Sequence, residues 1–325
     1  DEAATIAAVR GSFSSVVERA FEEDPARIGY LAAAQPVASW NDGELWMRLP
    51  SVVALVVAAA AIYRLGRRLF DPRVGAVASV VLATSVGVLT IARSVGSLSL
   101  ALAAMLVSTA LFARAVERGH AAWWVAYVVI AAAMPLTHPI AASALAAQLV
   151  ALAFVWRQLD LRVVLPAVGV ATLECGLFLV AAAIDRWDAP DGAGPLALDE
   201  IAAGVLRSFG WSPVVLGLSV WGFVVMVRRA RHDLPLWTLW LVAGLTGMPL
   251  VFVLAAGVAI PVHPRAALVV GAGGVALAAA AGLVAIRERA LRLATGAAVL
   301  AVAVAALVTA SVADTRQDWR RAAVL

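Results

Sequence analysis

Six ionisable side chains stand out in a chain where charge is scarce: the adjacent pair Asp1 and Glu2, then Arg93, His138, His263 and Arg265. Only 14% of the 325 residues are charged and 63% are hydrophobic, so ionisable groups set at the ends of apolar runs ask for a reason. A carboxylate pair can take a proton from an acceptor hydroxyl, while guanidinium or imidazole groups hold a departing phosphate. Together they have the composition for group transfer from a phosphate-bearing donor. Each also has a plainer reading. Asp1 and Glu2 suit the first turn of a helix, where the dipole favours acids. Arg93 suits the headgroup region, reached by snorkelling along its apolar stem. His138 stands in a turn beside Pro139, and Pro264 with Arg265 suits the start of a span anchored to headgroups.

The elements that must position these groups are membrane helices. Mean hydropathy is +0.93, which excludes an ordinary soluble core. Stretches long enough for a hydrocarbon core of about 30 Å fall near 50–66, 74–92, 95–113, 121–135, 139–156, 162–184, 213–228, 236–258, 266–286 and 291–313. No strand-like alternation appears, and unpaired backbone in lipid is too costly, so the expected fold is all-α and polytopic with about ten transmembrane helices. Gly271-Ala-Gly-Gly-Val lies inside one span and reads as small residues permitting close helix contact. Tryptophans 123, 124, 211, 221, 237 and 240 lie near span ends and read as an aromatic belt.

Arginine sets the orientation. All 25 basic residues are Arg, and most of them collect in every second connection: Arg64, Arg67, Arg68 and Arg73, then Arg114 and Arg118, then Arg157 and Arg162, then Arg228, Arg229 and Arg231, then Arg287, Arg289 and Arg292. The positive-inside rule assigns those connections to the cytoplasm. The six singled-out residues then all fall on the outer side. A pI near 10.1 with net charge of only +4, spread between apolar runs, argues against a nucleic-acid partner. The single Cys175, inside an apolar run, excludes an internal disulfide and reads as a small core residue.

Three regions follow. Residues 1–49 form an outer-face segment with amphipathic interfacial helices, one over 3–23 and one from Ile28 to Trp40 closed by Asn41-Asp42-Gly43. Residues 50–313 form the membrane domain, with an outer loop at 185–212. Residues 314–325 open a further outer segment. The chain lacks an initiator Met and an apolar leader and ends inside an amphipathic pattern, so both ends are expected to be cuts in a longer protein.

Three phrases carry a family resemblance: Asp1-Glu2-Ala3 heading an amphipathic segment, then Trp46-Met-Arg48-Leu49-Pro50-Ser51, then Tyr63-Arg-Leu-Gly66-Arg67-Arg68-Leu69-Phe70. In order and spacing they resemble the membrane-embedded GT-C glycosyltransferases, in the bacterial mannosyltransferase-like branch of the protein O-mannosyltransferases and lipid A aminoarabinose transferases. Thr137-His138, Pro264-Arg265 and Asp318-Trp319-Arg320 are similar to later landmarks of that family. The resemblance implies a polyprenyl-phosphate sugar donor and inverting single displacement onto a hydroxyl of a lipid, glycan or protein. It implies a multi-pass plasma-membrane enzyme, bacterial in type, with its active face outward. It places Asp1 as general base with Glu2 in support, and Arg93, His138, His263 and Arg265 at the donor phosphate. No cofactor is implied with certainty; Asp1 and Glu2 could coordinate a divalent metal, but no complete ligand set is visible.

The chain departs from the family pattern in two places. The second interfacial element reads Asp24-Pro25-Ala26-Arg27-Ile28-Gly29-Tyr30 and keeps one Pro and one Tyr of the usual phrase. After the second span, Arg93-Ser94-Val95-Gly96-Ser97-Leu98 lacks the acidic, second basic and aromatic groups of many relatives. These losses keep a second expectation alive, a catalytically degenerate, lipid-binding or scaffold component of cell-envelope assembly. A transporter ranks behind both, because paired broken helices at the midplane are its usual sign and the polar groups here lie at span ends.

Overall fold

The structure is a computed structural model that describes residues 9, 11–23, 28–41, 43–186, 213–256 and 264–312. Those residues form helices and connecting turns, with no strand among them. Three short helices come first: α1 (Phe13–Glu23), α2 (Ile28–Trp40) and the single turn α3 (Glu44–Met47). α4 (Leu49–Leu69) opens with Pro50 in its first turn, where the missing N–H has no helical partner to lose. Asp71 caps α5 (Pro72–Ala83), its carboxylate accepting from the backbone N–H groups of Arg73 and Val74 at 2.7 and 3.0 Å. The chain then breaks at Thr84, whose hydroxyl bonds back to the Val80 carbonyl, and α6 (Val86–Ala92) departs at 63° to α5.

α7 (Leu98–Arg118) stops at Gly119, which adopts φ +64° as a left-handed cap that any side chain would strain. α8 (Ala121–Thr137) carries Pro135 and ends at His138. A 3-10 turn (Pro139–Ala142) leads into α9 (Ser143–Leu152), and a second (Trp156–Gln158) leads into α10 (Leu161–Arg186). Then follow α11 (Pro213–Ala230), α12 (Leu236–Ala256), α13 (Pro264–Val284) and α14 (Arg289–Val312).

α13 is the hub of the bundle. It packs on α11, α12, α5 and α7, and its residues from Val269 to Leu283 are almost all buried. A helix apolar on every side has no lipid face to choose and belongs in the middle. Its glycines set the spacing, as expected for Gly271-Ala-Gly-Gly. A Cβ on Gly271 would come 3.0 Å from the Thr246 carbonyl oxygen, and one on Gly273 would come 2.8 Å from Leu106. Gly222 of α11 and Gly282 of α13 face each other, so that a Cβ on either would strike the backbone of the opposite helix. Backbones in contact maximise dispersion where no water is available to drive association. α10 takes the opposite role, packing mainly on α8 among the described residues with Leu165, Leu173 and Leu177 exposed, as a lipid-facing helix should be.

The two ends of the bundle differ. Arg67 and Arg68 close α4, Arg118 closes α7, and Arg228 and Arg229 close α11. Arg68 and Glu117 join the ends of α4 and α7 in an ion pair of 3.1 Å. Gly66 packs against Leu277, which brings the late turns of α13 to this arginine-rich end and leaves its start, Pro264-Arg265, at the other.

Helix lies on each of the ten expected spans, but length and composition qualify fewer of them. Among the described residues four helices are long and apolar enough to cross a membrane, Leu49–Leu69, Leu98–Arg118, Leu161–Val180 and Leu236–Ala255, with α5 and α6 a fifth if the bent pair is one span. The count of ten spans is therefore not confirmed among the described residues. α8 is shortened by the break at His138, and the helix from Pro139 to Leu152 that follows is shorter still. The chain is a multi-pass membrane protein of all-α class.

One polar network crosses the interior. The Tyr127 hydroxyl donates to Gln148 Oε1 at 2.9 Å, and Gln148 Nε2 donates to Ser108 Oγ and Thr109 Oγ1 at 3.2 and 3.1 Å. All four residues are buried, and the network ties α7, α8 and α9 together. Gln148→Leu is expected to lower unfolding stability in detergent by about 1–3 kcal/mol, since it strands the Tyr127 hydroxyl. Tyr127→Phe in the same chain should recover part of that loss in a double-mutant cycle, and strict additivity would mean the two groups are not coupled. The aromatic-belt reading fails at two residues, Trp124 and the 9% exposed Trp237, and Trp211 lies outside the described residues. Trp124 is 1% exposed and packs edge-on against Phe112 and Tyr127, inside the bundle, whereas Trp221 and Trp240 are exposed as expected. Cys175 is buried, in keeping with a core role.

Candidate functional site

At the end away from the arginines the short helices fold back over the bundle. α1 packs on α2, and α2 in turn touches α4 and α8. The contact has its own apolar core, built from Val9, Val16, Ala20, Ile28, Tyr30, Leu31, Ala34, Met47 and Val95. Val9, seven residues beyond Glu2, is 1% exposed, and Val95 stands two residues beyond Arg93. Val9 thereby shares one apolar core with Val95 of the turn that follows α6.

Hydrogen bonds fix the same junction. Gln35 Nε2 donates to the Gly11 carbonyl at 3.1 Å, and the Tyr30 hydroxyl donates to the Met47 carbonyl at 3.3 Å. Ser51 Oγ, fully buried, donates to the Ser94 carbonyl at 2.8 Å. Gly29, beside Tyr30, lies so close to α8 that a Cβ there would come 3.0 Å from the Leu136 carbonyl oxygen and 3.2 Å from Thr137. The His138 turn therefore borders α2 through Thr137, while the Arg93 turn is tied through Ser94 to Ser51 of α4, whose hydroxyl also meets that of Tyr30 on α2 at 3.5 Å.

Arg93 terminates α6, its backbone N–H bonded to the Leu89 and Thr90 carbonyls. A cation suits that position because the C-terminus of a helix is its negative end. The guanidinium is half-buried and, among the described residues, has no ion pair or hydrogen bond. His138 has extended backbone, φ −174°, and its Nδ1 accepts from the Ile140 N–H at 3.2 Å. The neutral ring then carries its proton on Nε2.

Arg265 is the second residue of α13, with Pro264 ahead of it. α13 touches both the 3-10 turn after His138 and α6. Three expected site elements, those of Arg93, His138 and Arg265, thus share one end of the bundle. The Arg265 side chain lies outside the described residues, as do Asp1, Glu2 and His263 altogether. No group of three or more His, Cys, Asp or Glu able to hold a metal ion occurs among the described residues.

Tyr30 and Ser51 were not among the residues singled out from sequence. Ser51 follows Pro50 at the start of an apolar run, which reads as an ordinary helix opening. Only the folded chain brings it to Ser94, 43 positions away.

The profile of the family described as dolichyl-phosphate-mannose-protein mannosyltransferase matches residues 30–183, just under half of the chain. None of the curated proteins matches. Among solved structures the chain is similar to ArnT from Cupriavidus metallidurans bound to undecaprenyl phosphate, at 14% identity and a TM-score of 0.59, covering 89% of this chain and 55% of that one. It is also similar to the Archaeoglobus fulgidus oligosaccharyltransferase in its apo form, at 11% identity and a TM-score of 0.58, covering 84% of this chain and 46% of that one. The chain spans about half the length of the solved structures it matches. The fold read by resemblance, that of the GT-C glycosyltransferases, is borne out.

Proposed function

We propose that this chain, with its GT-C fold and its mannosyltransferase-family match over residues 30–183, belongs to an enzyme that moves a sugar from a polyprenyl-phosphate donor to a hydroxyl acceptor at the outer membrane face. The observation that carries the reading is Arg93. It is a half-buried guanidinium without a partner among the described residues, at the end of the bundle where the His138 turn and the start of α13 also lie. A cation held in place by the helix it ends, with no carboxylate beside it, is a fixed electrostatic receptor for an anion. A phosphate on a lipid tail fits it in charge, and the ArnT neighbour was solved with undecaprenyl phosphate bound.

In this mechanism Asp1, with Glu2 beside it, accepts the proton of the acceptor hydroxyl. The hydroxyl oxygen attacks the anomeric carbon from the face opposite the phosphate. The C–O bond to phosphate breaks with inversion, and the lipid phosphate leaves with the electron pair. Because phosphate already leaves well, charge stabilisation by Arg93 and Arg265 matters more than acid help. His138, donating through Nε2, and His263 are placed as further phosphate contacts. Arg265 supports this assignment in one respect: a cation at a helix N-terminus opposes the dipole, so its presence there gains from a nearby anion.

The test is sugar transfer from a mannosyl or aminoarabinosyl polyprenyl phosphate by the full-length protein in lipid. Product with an inverted anomeric centre is expected. Tight donor binding without turnover on lipid, glycan or protein hydroxyls would instead favour the scaffold reading, which the loss of acidic and aromatic groups between Ser94 and Leu98 supports.

A further inference from the structure

The arginine-rich end contains a cleft of about 430 Å³ that plays no part in the chemistry proposed above. It lies where the end of α4, the end of α7, the 3-10 turn Trp156–Gln158 and the start of α12 meet. Its polar lining is unbalanced. Arg68 lines it with 21% of its side chain exposed, and its one partner is Glu117, reached through Nε, so that both Nη groups keep their N–H donors unused among the described residues. Thr238 is 1% exposed and Trp237 9% exposed, and neither the threonine hydroxyl nor the indole N–H has a hydrogen bond among the described residues. Gln158 adds an exposed amide. Glu117 is the one carboxylate in the lining, and Arg68 already holds it.

The charge is unbalanced in the same sense. Arg67, Arg114 and Arg118 lie within electrostatic reach of Arg68, and Arg114 and Arg118 also act on Glu117, giving four guanidiniums against one carboxylate. Arg114 stacks 4.1 Å from the Trp123 ring centroid, and its Nε is buried with no hydrogen-bond partner. Orienting the chain in the membrane requires only that arginines be exposed at this end. It does not require turning the unused donors of Arg68 into a cleft between helix ends, nor burying Arg114 Nε without a hydrogen bond among the described residues.

We infer that this cleft is a binding site for a phosphate group, carried either by the headgroup of an anionic phospholipid or by a soluble phosphate. A phosphodiester presents acceptor oxygens and no competing donors, so it satisfies a lining of donors as a sugar or an amine would not. Basic pockets between helices at the inner membrane face recognise anionic headgroups on the same grounds. The ligand would meet Arg68 through its free Nη groups and Thr238 and Trp237 through their unused donors. Leu69 and Val116 offer apolar wall.

The experiment measures retention of phosphatidylglycerol and of phosphatidylcholine by the intact protein, using native mass spectrometry and thermal unfolding, with inorganic phosphate as competitor. The wild type is expected to hold one phosphatidylglycerol at least ten-fold more tightly than phosphatidylcholine. Arg68→Gln combined with Arg114→Gln should remove that preference while helical circular dichroism is kept. Glu117→Gln separates a ligand site from a structural ion pair: it frees Arg68 Nε and should tighten phosphatidylglycerol binding several-fold, although it lowers stability without lipid. Displacement by millimolar inorganic phosphate assigns the site to a soluble phosphate, and lack of displacement assigns it to the lipid. Equal retention of both lipids with no effect of phosphate would overturn the proposal, as would weaker binding in Glu117→Gln. None of these outcomes depends on the sugar-transfer reading, whose described groups, Arg93 and His138, lie at the other end of the bundle.

Discussion

Replacing Asp1 by Asn is expected to slow sugar transfer by the full-length protein about 10²–10⁴-fold, the range lost when a positioned proton acceptor is removed. Asn keeps the size of the side chain and can still accept a hydrogen bond, but it cannot take the acceptor's proton at neutral pH. Binding of the donor, which is held through its phosphate, should stay as it was, so the loss belongs to kcat. Glu2→Gln in the same assay should cost less, because it removes a supporting group and not the base. Equal turnover by wild type and Asp1→Asn would remove Asp1 from the mechanism and leave the base to be found elsewhere.

Arg93→Ala should reduce kcat/KM by about 10²–10³-fold, the usual loss when one stabiliser of a developing anion is taken away. It should also weaken binding of undecaprenyl phosphate, measured directly. The structure supplies the control. The Arg93 guanidinium makes no hydrogen bond or ion pair among the described residues, so its removal should change unfolding stability by no more than about 0.5 kcal/mol. Arg93→Lys should recover part of the activity, because an ammonium supplies the charge without the planar fork. Should stability fall while donor binding holds, Arg93 would be a residue that positions the α6 turn and not a ligand of phosphate.

Local chemistry made several parts of the fold readable in advance. The second interfacial helix runs from Ile28 to Trp40 as expected, because Pro25 and Asn41-Asp42-Gly43 punctuate it on both sides. The separation of α8 from α9 follows from Pro135 and His138-Pro139, residues that cannot continue a regular helix. The bend between α5 and α6 had no such mark, since neither Thr84 nor Ser85 is a breaker by type. The inward side of α8 was hidden too. Its residues are apolar all round, so periodicity gave no reason to turn Trp124 to the interior and Val125 to the outside.

Of the candidate site, Arg93, His138 and the start of α13 were legible as groups at one end of a bundle, because charge is rare enough for each to be noticed. Its construction was not. Ser51 with Ser94, Gln35 with Gly11, and Gly29 with Leu136 are contacts across long stretches of chain between residues that look ordinary locally. The same holds for Gln148, whose value lies in meeting Tyr127, Ser108 and Thr109 from two other helices.

The break after α5 also sets a depth. α6 has seven residues and rises about 10 Å along its own axis. Turned through 63°, it contributes only about 5 Å along the direction of α5, so Arg93 stops roughly 6 Å short of where a straight helix would carry it. On the proposed reading, the phosphate held by that guanidinium lies nearer the middle of the bundle by the same distance, and a straightened α5–α6 would carry its receptor away from the Ser51 and Tyr30 junction.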